Sequence, residues 1–361
     1  MLNDTSASFF LGANTPGGFR SFFDELYYPE EGWKLFIIKG GPGTGKSTLM
    51  KRIAAEADKR GYYCERIFCS SDPASLDAVI IPRLKISIAD GTPPHTLEPK
   101  YPGVSETIVD LSEFRDDEKL RENSEEIIKL TKLCSGEHKK CIGFLAAAKS
   151  IDTDTKNIVF DALRREKAVK FATKLAQTEF GTVSDTPGKE KRRFLSAVTP
   201  LGNASFPDTF NSVCERKIVF DDNFGLPSVL MLNILKAACL ECGHDCICCY
   251  CPTDPDNKPE HLIIPELSLG FYTSNRHHPF ADKADKTVDC KRFLDTEKLK
   301  AHKNRITFNR RARDEMLDEA INKLINAKKL HDELEKYYVN AMNFDRLRQI
   351  SNKLINIIFK N

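Results

Sequence analysis

The sequence lacks any apolar run near the ~20 residues that a membrane-spanning helix needs, which excludes helical insertion into a bilayer. It also lacks an excess of either charge. Lys and Arg number 54 against 52 Asp and Glu, and a formal charge of +2 is too balanced to argue for a polyanionic partner. The opening residues, Met1-Leu2-Asn3-Asp4-Thr5, have neither the basic start nor the apolar stretch of a secretory signal. Glycine and proline are sparse, at 19 and 18 of 361 residues, while 41% of the chain is hydrophobic and 29% charged. That composition excludes collagen-like and wholly disordered chains and supplies core material for about two domains. Twelve cysteines would suit disulfides in a small exported protein. In a chain of this size without an export signal they read as reduced thiols, and the expected location is the cytoplasm.

One segment carries chemistry. Leu35-Phe36-Ile37-Ile38 is a short apolar run of the kind that forms a buried parallel strand, and residues 49–57 have helical character. Between them lies Gly40-Gly41-Pro42-Gly43-Thr44-Gly45-Lys46-Ser47-Thr48, which satisfies G-x-x-x-x-G-K-[ST] with strand before and helix after. The residue types follow from the task. Glycines let backbone N–H groups turn inward around a phosphate, and the positive end of the following helix adds to the field. Lys46 would reach the β- and γ-phosphates, and Ser47 would hold Mg²⁺ through its hydroxyl. The plain alternative is a glycine-rich turn before a helix, which explains neither the lysine nor the serine in register.

The loop calls for an acidic partner to the metal. Leu84-Lys85-Ile86-Ser87-Ile88-Ala89-Asp90 reads as a strand ending in a carboxylate that can sit beside Ser47 and bind Mg²⁺. Gly91 follows Asp90, so the Asp-Glu pair of many additional-strand ATPases is missing. Asp72, Asp77 and His95 remain as groups that could orient a water or hydroxyl. Each also fits a turn or cap, given Ser71-Asp72-Pro73 and Pro93-Pro94-His95.

Self-comparison shows a duplication. Phe10-Leu11-Gly12-Ala13-Asn14-Thr15-Pro16 recurs as Phe194-Leu195-Ser196-Ala197-Val198-Thr199-Pro200. Gly61, Cys64, Cys69, Asp72 and Pro73 fall without a gap on Gly243, Cys246, Cys251, Asp254 and Pro255. After one inserted residue, Ile80-Ile81-Pro82 falls on Ile263-Ile264-Pro265, His95 on His278 and Val109-Asp110 on Val288-Asp289. In this register Gly45, Lys46, Ser47 and Asp90 are matched by Pro227, Ser228, Val229 and Thr273. Asp221 and Asp222 enter the loop, where their charge opposes phosphate. The second copy is expected not to bind a triphosphate, leaving it as a scaffold, regulatory face or substrate platform.

Residues 119–180 and 296–359 carry apolar residues at helical spacing and read as helical hairpins appended to each unit, with residues 181–191 as the connection. The expected organisation is residues 1–180, a linker at 181–192, and residues 193–361. From Lys298 to Arg313 there are seven Lys and Arg and no acid. Such a run can meet nucleic acid, and more commonly it is a solvated helix face. Cys239, Cys242, Cys246, Cys248, Cys249 and Cys251, with His244 among them, have the density of a metal site. The duplication instead places Cys246 to Cys251 on a buried strand matching Cys64 to Cys69.

The opening Phe9 to Gly18, the loop Lys39 to Leu49, Cys69-Ser70-Ser71-Asp72-Pro73, Val79-Ile80-Ile81-Pro82 and Asp90-Gly91-Thr92-x-Pro94-His95 together resemble a family of bacterial P-loop ATPases built from two tandem copies of one NTPase-like unit. The likeness covers almost the whole chain. Both copies in that family usually carry a recognisable P-loop, and the second copy here departs from that pattern. The resemblance implies an α/β fold of two P-loop NTPase three-layer sandwiches with ATP and Mg²⁺ as ligands. It implies ATP binding and hydrolysis, for which the loop and strand read above offer Lys46, Asp90, Asp72 and His95 as catalytic candidates and Ser47 and Asp90 as metal ligands. It supplies no substrate or macromolecular partner. Phosphoryl transfer to a small molecule, and a nucleotide-gated binding module with negligible turnover, stay open as alternatives.

One chain is therefore expected to bind one ATP. Ser228→Lys alone should not create a second site, because a single charged hydrogen bond is worth about 1.5–3 kcal/mol against the roughly 8 kcal/mol behind micromolar binding. Calorimetric titration with a slowly hydrolysed ATP analogue reads the stoichiometry, and a value near two per chain refutes the expectation.

Overall fold

The computed structural model describes residues 6–360. The chain builds two six-stranded mixed sheets with the same strand order. The first comprises β1 (Ala7–Phe9), β4 (Lys34–Lys39), β5 (Glu65–Phe68), β6 (Leu76–Ile81), β7 (Ile86–Asp90) and β8 (Glu106–Asp110), arranged β1-β5-β6-β7-β4-β8. The second comprises β9 (Glu190–Arg193), β12 (Arg216–Asp221), β13 (Cys246–Cys251), β14 (Asp254–Ile264), β15 (Leu269–Ser274) and β16 (Lys286–Asp289), arranged β9-β13-β14-β15-β12-β16. In each sheet only the third strand runs antiparallel to its neighbours. A hairpin follows the first strand of each copy: β2 (Gly12–Thr15) with β3 (Gly18–Ser21), and β10 (Ser196–Thr199) with β11 (Gly202–Ser205). The duplication read from the sequence is thus a duplication of architecture. The strand β9 begins at Glu190, inside the 181–192 segment read as a connection.

The β4 strand shows why these apolar runs became central strands. Leu35 and Ile37 face one core with Phe9 and Trp33, while Phe36 and Ile38 face another with Leu49, Met50 and Ile53 of α1 (Lys46–Lys59). Alternation puts one apolar set on each face, and both faces are covered.

The helical segments form as expected, but each completes the other copy. Helix α3 (Ser124–Ala162) is followed by α4 (Arg165–Glu179), and α8 (Lys303–Ala341) by α9 (Phe344–Ile358). Short helices α2 (Asp117–Glu122) and α7 (Thr296–Ala301) precede them, capped by the Asp116 and Asp295 carboxylates. Two more helices lie in the second copy, α5 (Asp208–Val213) and α6 (Pro227–Glu241). Helix α4 packs on α6 of the second copy, with Ala168, Ala172 and Ala176 permitting close approach, and α9 packs on α1 of the first through Leu347, Leu354 and Ile358. Matched backbone bonds fix both corners. Asp116 N–H donates to Ala341 O at 2.8 Å and Asp295 N–H to Ala162 O at 2.7 Å, while Asn343 N–H donates to Phe114 O and Arg164 N–H to Phe293 O, each at 2.8 Å. Helices α3 and α8, 39 residues each, lie antiparallel over a length of roughly 58 Å.

The two copies meet where Phe10 and Phe194, equivalent residues, exchange backbone hydrogen bonds at 2.8 and 2.9 Å. Beside this point Arg193, buried, donates through Nε to Glu65 at 3.0 Å and lies 3.6 Å from Glu25. A buried ion pair owes its stability to being complete, and removing one partner strands the other charge. Glu65→Ala is expected to destabilise the chain by about 3 kcal/mol in denaturant unfolding. Most of that loss should return in Glu65→Ala with Arg193→Met, and an unchanged midpoint in the single variant refutes the account.

Candidate functional site

The end of β4 turns into the glycine-rich loop and then into α1, whose first residue is Lys46. Gly43 and Gly45 have φ of +64° and +87°, a region that L side chains rarely enter, so the turn demands glycine at both places. Thr44 is buried and its hydroxyl donates to Gly41 O at 2.9 Å, bracing the loop from within. Lys46 folds over the loop and donates through Nζ to Gly40 O at 2.9 Å and Gly41 O at 2.6 Å.

Strand β7 pairs directly with β4 in parallel, with Asp90 opposite Ile38. That register brings Asp90 Oδ2 to 3.6 Å from Lys46 Nζ. The other carboxylate oxygen accepts from Thr92 N–H at 2.8 Å and from the Thr92 hydroxyl at 2.6 Å. Burial pushes the Asp90 carboxyl above its ordinary range, and Lys46 and Thr92 pull it back. Ser47 Oγ accepts from Leu76 N–H at 3.0 Å and keeps its own hydrogen and a second lone pair. A hydroxyl and a carboxylate beside a phosphate-type loop are hard oxygen donors that suit Mg²⁺, which takes one or two protein oxygens and completes its shell with phosphate and water.

Lys39 closes the far side. Its ammonium donates to Gly91 O at 3.0 Å, Leu97 O at 2.6 Å and Glu98 Oε1 at 2.6 Å, which pins the segment after β7. A cavity of about 430 Å³ lies between Gly40, Gly41, Gly91 and Thr92 on one side and Asp110 and Arg115 on the other.

His95 and Asp77 are brought together, a pairing the sequence spacing did not reveal. His95 is buried, stacked on Phe23 with ring centroids 4.4 Å apart, and its Nε2 lies 3.2 Å from Asp77 Oδ2. Asp72 is engaged differently: its carboxylate accepts from the Ser75 hydroxyl at 2.7 Å and lies 3.9 Å from Lys328 Nζ of α8. The second copy repeats both arrangements. His278 Nε2 lies 3.8 Å from Glu260, and Lys149 of α3 lies 3.5 Å from Asp254. By contrast, the contacts of Lys46, Ser47 and Asp90 have no counterpart at Ser228, Val229 and Thr273.

The outer face of the loop is covered by the second copy's hairpin, and nothing in the spacing of residues 296–359 signalled this. A Cβ at Gly41 would stand 2.6 Å from Tyr338 Cε1, one at Gly43 2.8 Å from Val339 Cγ2 and 3.1 Å from Glu335 O, and one at Gly45 2.8 Å from Leu347 Cδ2. Residues roughly 300 positions away from the loop therefore wall it.

Other sequence candidates find structural employment. In the basic run, Arg305 pairs with Asp154, Arg313 with Asp152 and Asp314, Lys300 with Glu297, and Lys298 donates to Asp161 O. Arg305 and Arg313 thus spend their charge between α8 and α3. All twelve cysteines are free thiols. The four on β13 are buried, and burial pushes the Cys248 thiol up to about 12. Among the described residues these cysteines form no group of metal-ligand spacing, whereas Glu260, His261 and His278 do. Thr273 N–H donates to His261 Nδ1, so the hydrogen of the neutral ring sits on Nε2. The Lys258 ammonium already holds Glu260 at 2.9 Å. That donor set does not fit a metal. Among the described residues no helix is long and apolar enough to cross a membrane.

No protein-family model, no curated protein and no solved structure matches the chain.

Burial lowers the His95 pKa, and Asp77, with Asp90 beyond it, outweighs this and leaves it raised above 6.5. A raised folded-state pKa contributes stability that is full below the unfolded value, near 6.5, and is lost as pH rises through the folded value. In metal-free protein the melting temperature should therefore fall as pH is raised above neutrality, and His95→Gln should flatten that slope. Equal slopes in the two proteins would remove His95 from the account.

Proposed function

We propose that the chain binds one MgATP at the Gly40–Ser47 loop and hydrolyses it. The observation that supports this most directly is the Lys46 ammonium, folded onto its own loop carbonyls and 3.6 Å from a carboxylate at the tip of the adjacent strand. A triphosphate in the loop offers Lys46 stronger, charged acceptors than Gly40 O and Gly41 O, and draws it off them. Ser47 and Asp90 would hold Mg²⁺, which would supply positive charge to the phosphate oxygens while water attacks the γ-phosphorus and ADP leaves. Lys46 then stabilises the charge that develops between the β- and γ-phosphates.

The duplication serves as an internal control. Lys328–Asp72 and His95–Asp77 recur in a copy without the lysine, serine and aspartate, so we assign Asp72 to holding the hairpin and His95 to supporting the segment after Asp90. Lys46, Ser47 and Asp90 belong to the first copy alone and carry the chemistry. Because Glu335, Tyr338 and Val339 lie on the loop's outer face, a nucleotide that reshapes the loop also displaces the end of α8, and the α3–α8 pair carries that movement away from the site.

A second reading, phosphoryl transfer to a small molecule, is favoured by the cavity. It begins at Gly40, Gly41 and Gly91, beside the terminal-phosphate end of the loop. Its volume of about 430 Å³ is far more than one water needs. Its two cationic wall residues are also peculiar to the first copy: Lys39 and Arg115 correspond to Asp221 and Leu294.

Phosphate and ADP formation, measured with and without a pool of small hydroxyl metabolites, separates the two readings. Lys46→Ala should fold normally, weaken binding of the ATP analogue and lower turnover at least ~100-fold. Asp90→Asn should retain analogue binding and lose most Mg²⁺-dependent turnover. Wild-type turnover in Lys46→Ala refutes the assignment of the site.

A further inference from the structure

The second loop was expected to have lost its cradle, with Asp221 and Asp222 repelling phosphate. Its backbone keeps one element of the first loop's shape and changes another. Gly225 has φ of +68° against +64° at its counterpart Gly43, whereas Gly45, at φ +87°, is replaced by Pro227, where α6 starts one residue earlier than α1. The Asp222 side chain, 2% exposed, occupies the concavity. One carboxylate oxygen accepts from Phe224 N–H at 3.1 Å and Gly225 N–H at 2.9 Å, and the other from Ser228 N–H at 2.8 Å. Gly225 and Ser228 correspond to Gly43 and Lys46, so the amides that a phosphate would meet are met by a carboxylate rooted where the first copy has Gly40.

A cation lies against the outer side of this loop. Lys258, on β14, brings Nζ to 3.4 Å and Cε to 3.2 Å from the place a Gly225 Cβ would take, and its ammonium is held by Glu260 at 2.9 Å. At Lys46's position, Ser228 Oγ is buried with no partner.

We propose that the second loop is a phosphate cradle that carries its own anion. The Asp222 carboxylate stands in for phosphate, and the second copy is held permanently in the anion-filled form. Only the first copy then changes with its ligand, and the second serves as the fixed reference against which the hairpins move. The carboxylate is a better occupant than free phosphate because it is covalently tethered and pays no loss of translational freedom on binding.

The test opens the cradle in full-length protein carrying Lys46→Ala, so that its result does not depend on the nucleotide assignment of the first loop. Adding Asp222→Gly removes the carboxylate and installs the residue that the first loop has there. The expected result is a melting temperature lower by roughly 3–8 °C in chloride buffer, since three buried amides lose their acceptor. Pyrophosphate should then bind at least tenfold more tightly than in the Lys46→Ala parent and recover part of the loss. If the double variant melts with the parent, or folds and gains no pyrophosphate affinity, the proposal is overturned. If Asp222→Gly does not fold, Asp222→Asn decides. The amide keeps the cradle filled but uncharged, so a lowered melting temperature without pyrophosphate binding supports the proposal and an unchanged melting temperature overturns it.

Discussion

The exchange of helical hairpins is the constraint on which the rest of this structure depends. Helix α9 supplies Leu347, Leu354 and Ile358 to the face of the first sheet that α1 only partly covers, and α4 supplies its alanine ridge to α6 in return. Neither copy buries its apolar surface with its own residues alone, so the two must fold against each other. The matched bonds at Asp116, Asp295, Asn343 and Arg164 make the corners of both hairpins part of the opposite sheet's edge. Everything near the glycine-rich loop, including its outer wall, follows from that exchange.

Duplication followed by divergence lets one half interpret the other. Ion pairs present in both halves, such as Lys328–Asp72 and Lys149–Asp254, hold the architecture together whether or not a loop can take phosphate. Groups confined to one half mark what that half does. The first loop is stripped of bulk and keeps an ammonium, a hydroxyl and a nearby carboxylate. The second has exchanged these for Asp222, whose carboxylate accepts from three amides of its own loop.

The long α3–α8 pair is the mechanical consequence. Its seam mixes apolar residues such as Cys141, Leu145, Ala320 and Leu324 with ion pairs from Asp152 and Asp154 to Arg313 and Arg305. A seam of this composition holds the two helices in register while one end rests on the loop through Glu335, Tyr338 and Val339. Arg305 and Arg313 of the basic run form the positive side of this seam.

The sequence by itself determined the elements and the local chemistry: the strand, loop and helix around Lys46, the strand ending in Asp90, the repeat and its register, and the helical character of residues 119–180 and 296–359. These were legible because they rest on short-range rules, the period of apolar residues and the backbone freedom of glycine. Only the tertiary structure decided which copy each hairpin completes, that His95 meets Asp77, that Tyr338 and Val339 wall a loop three hundred residues earlier, and that Asp222 fills its loop instead of repelling a ligand. An amphipathic helix records that it has a buried face but not whose surface covers it. A carboxylate's charge likewise does not say whether its side chain points toward a ring of amides or away from it.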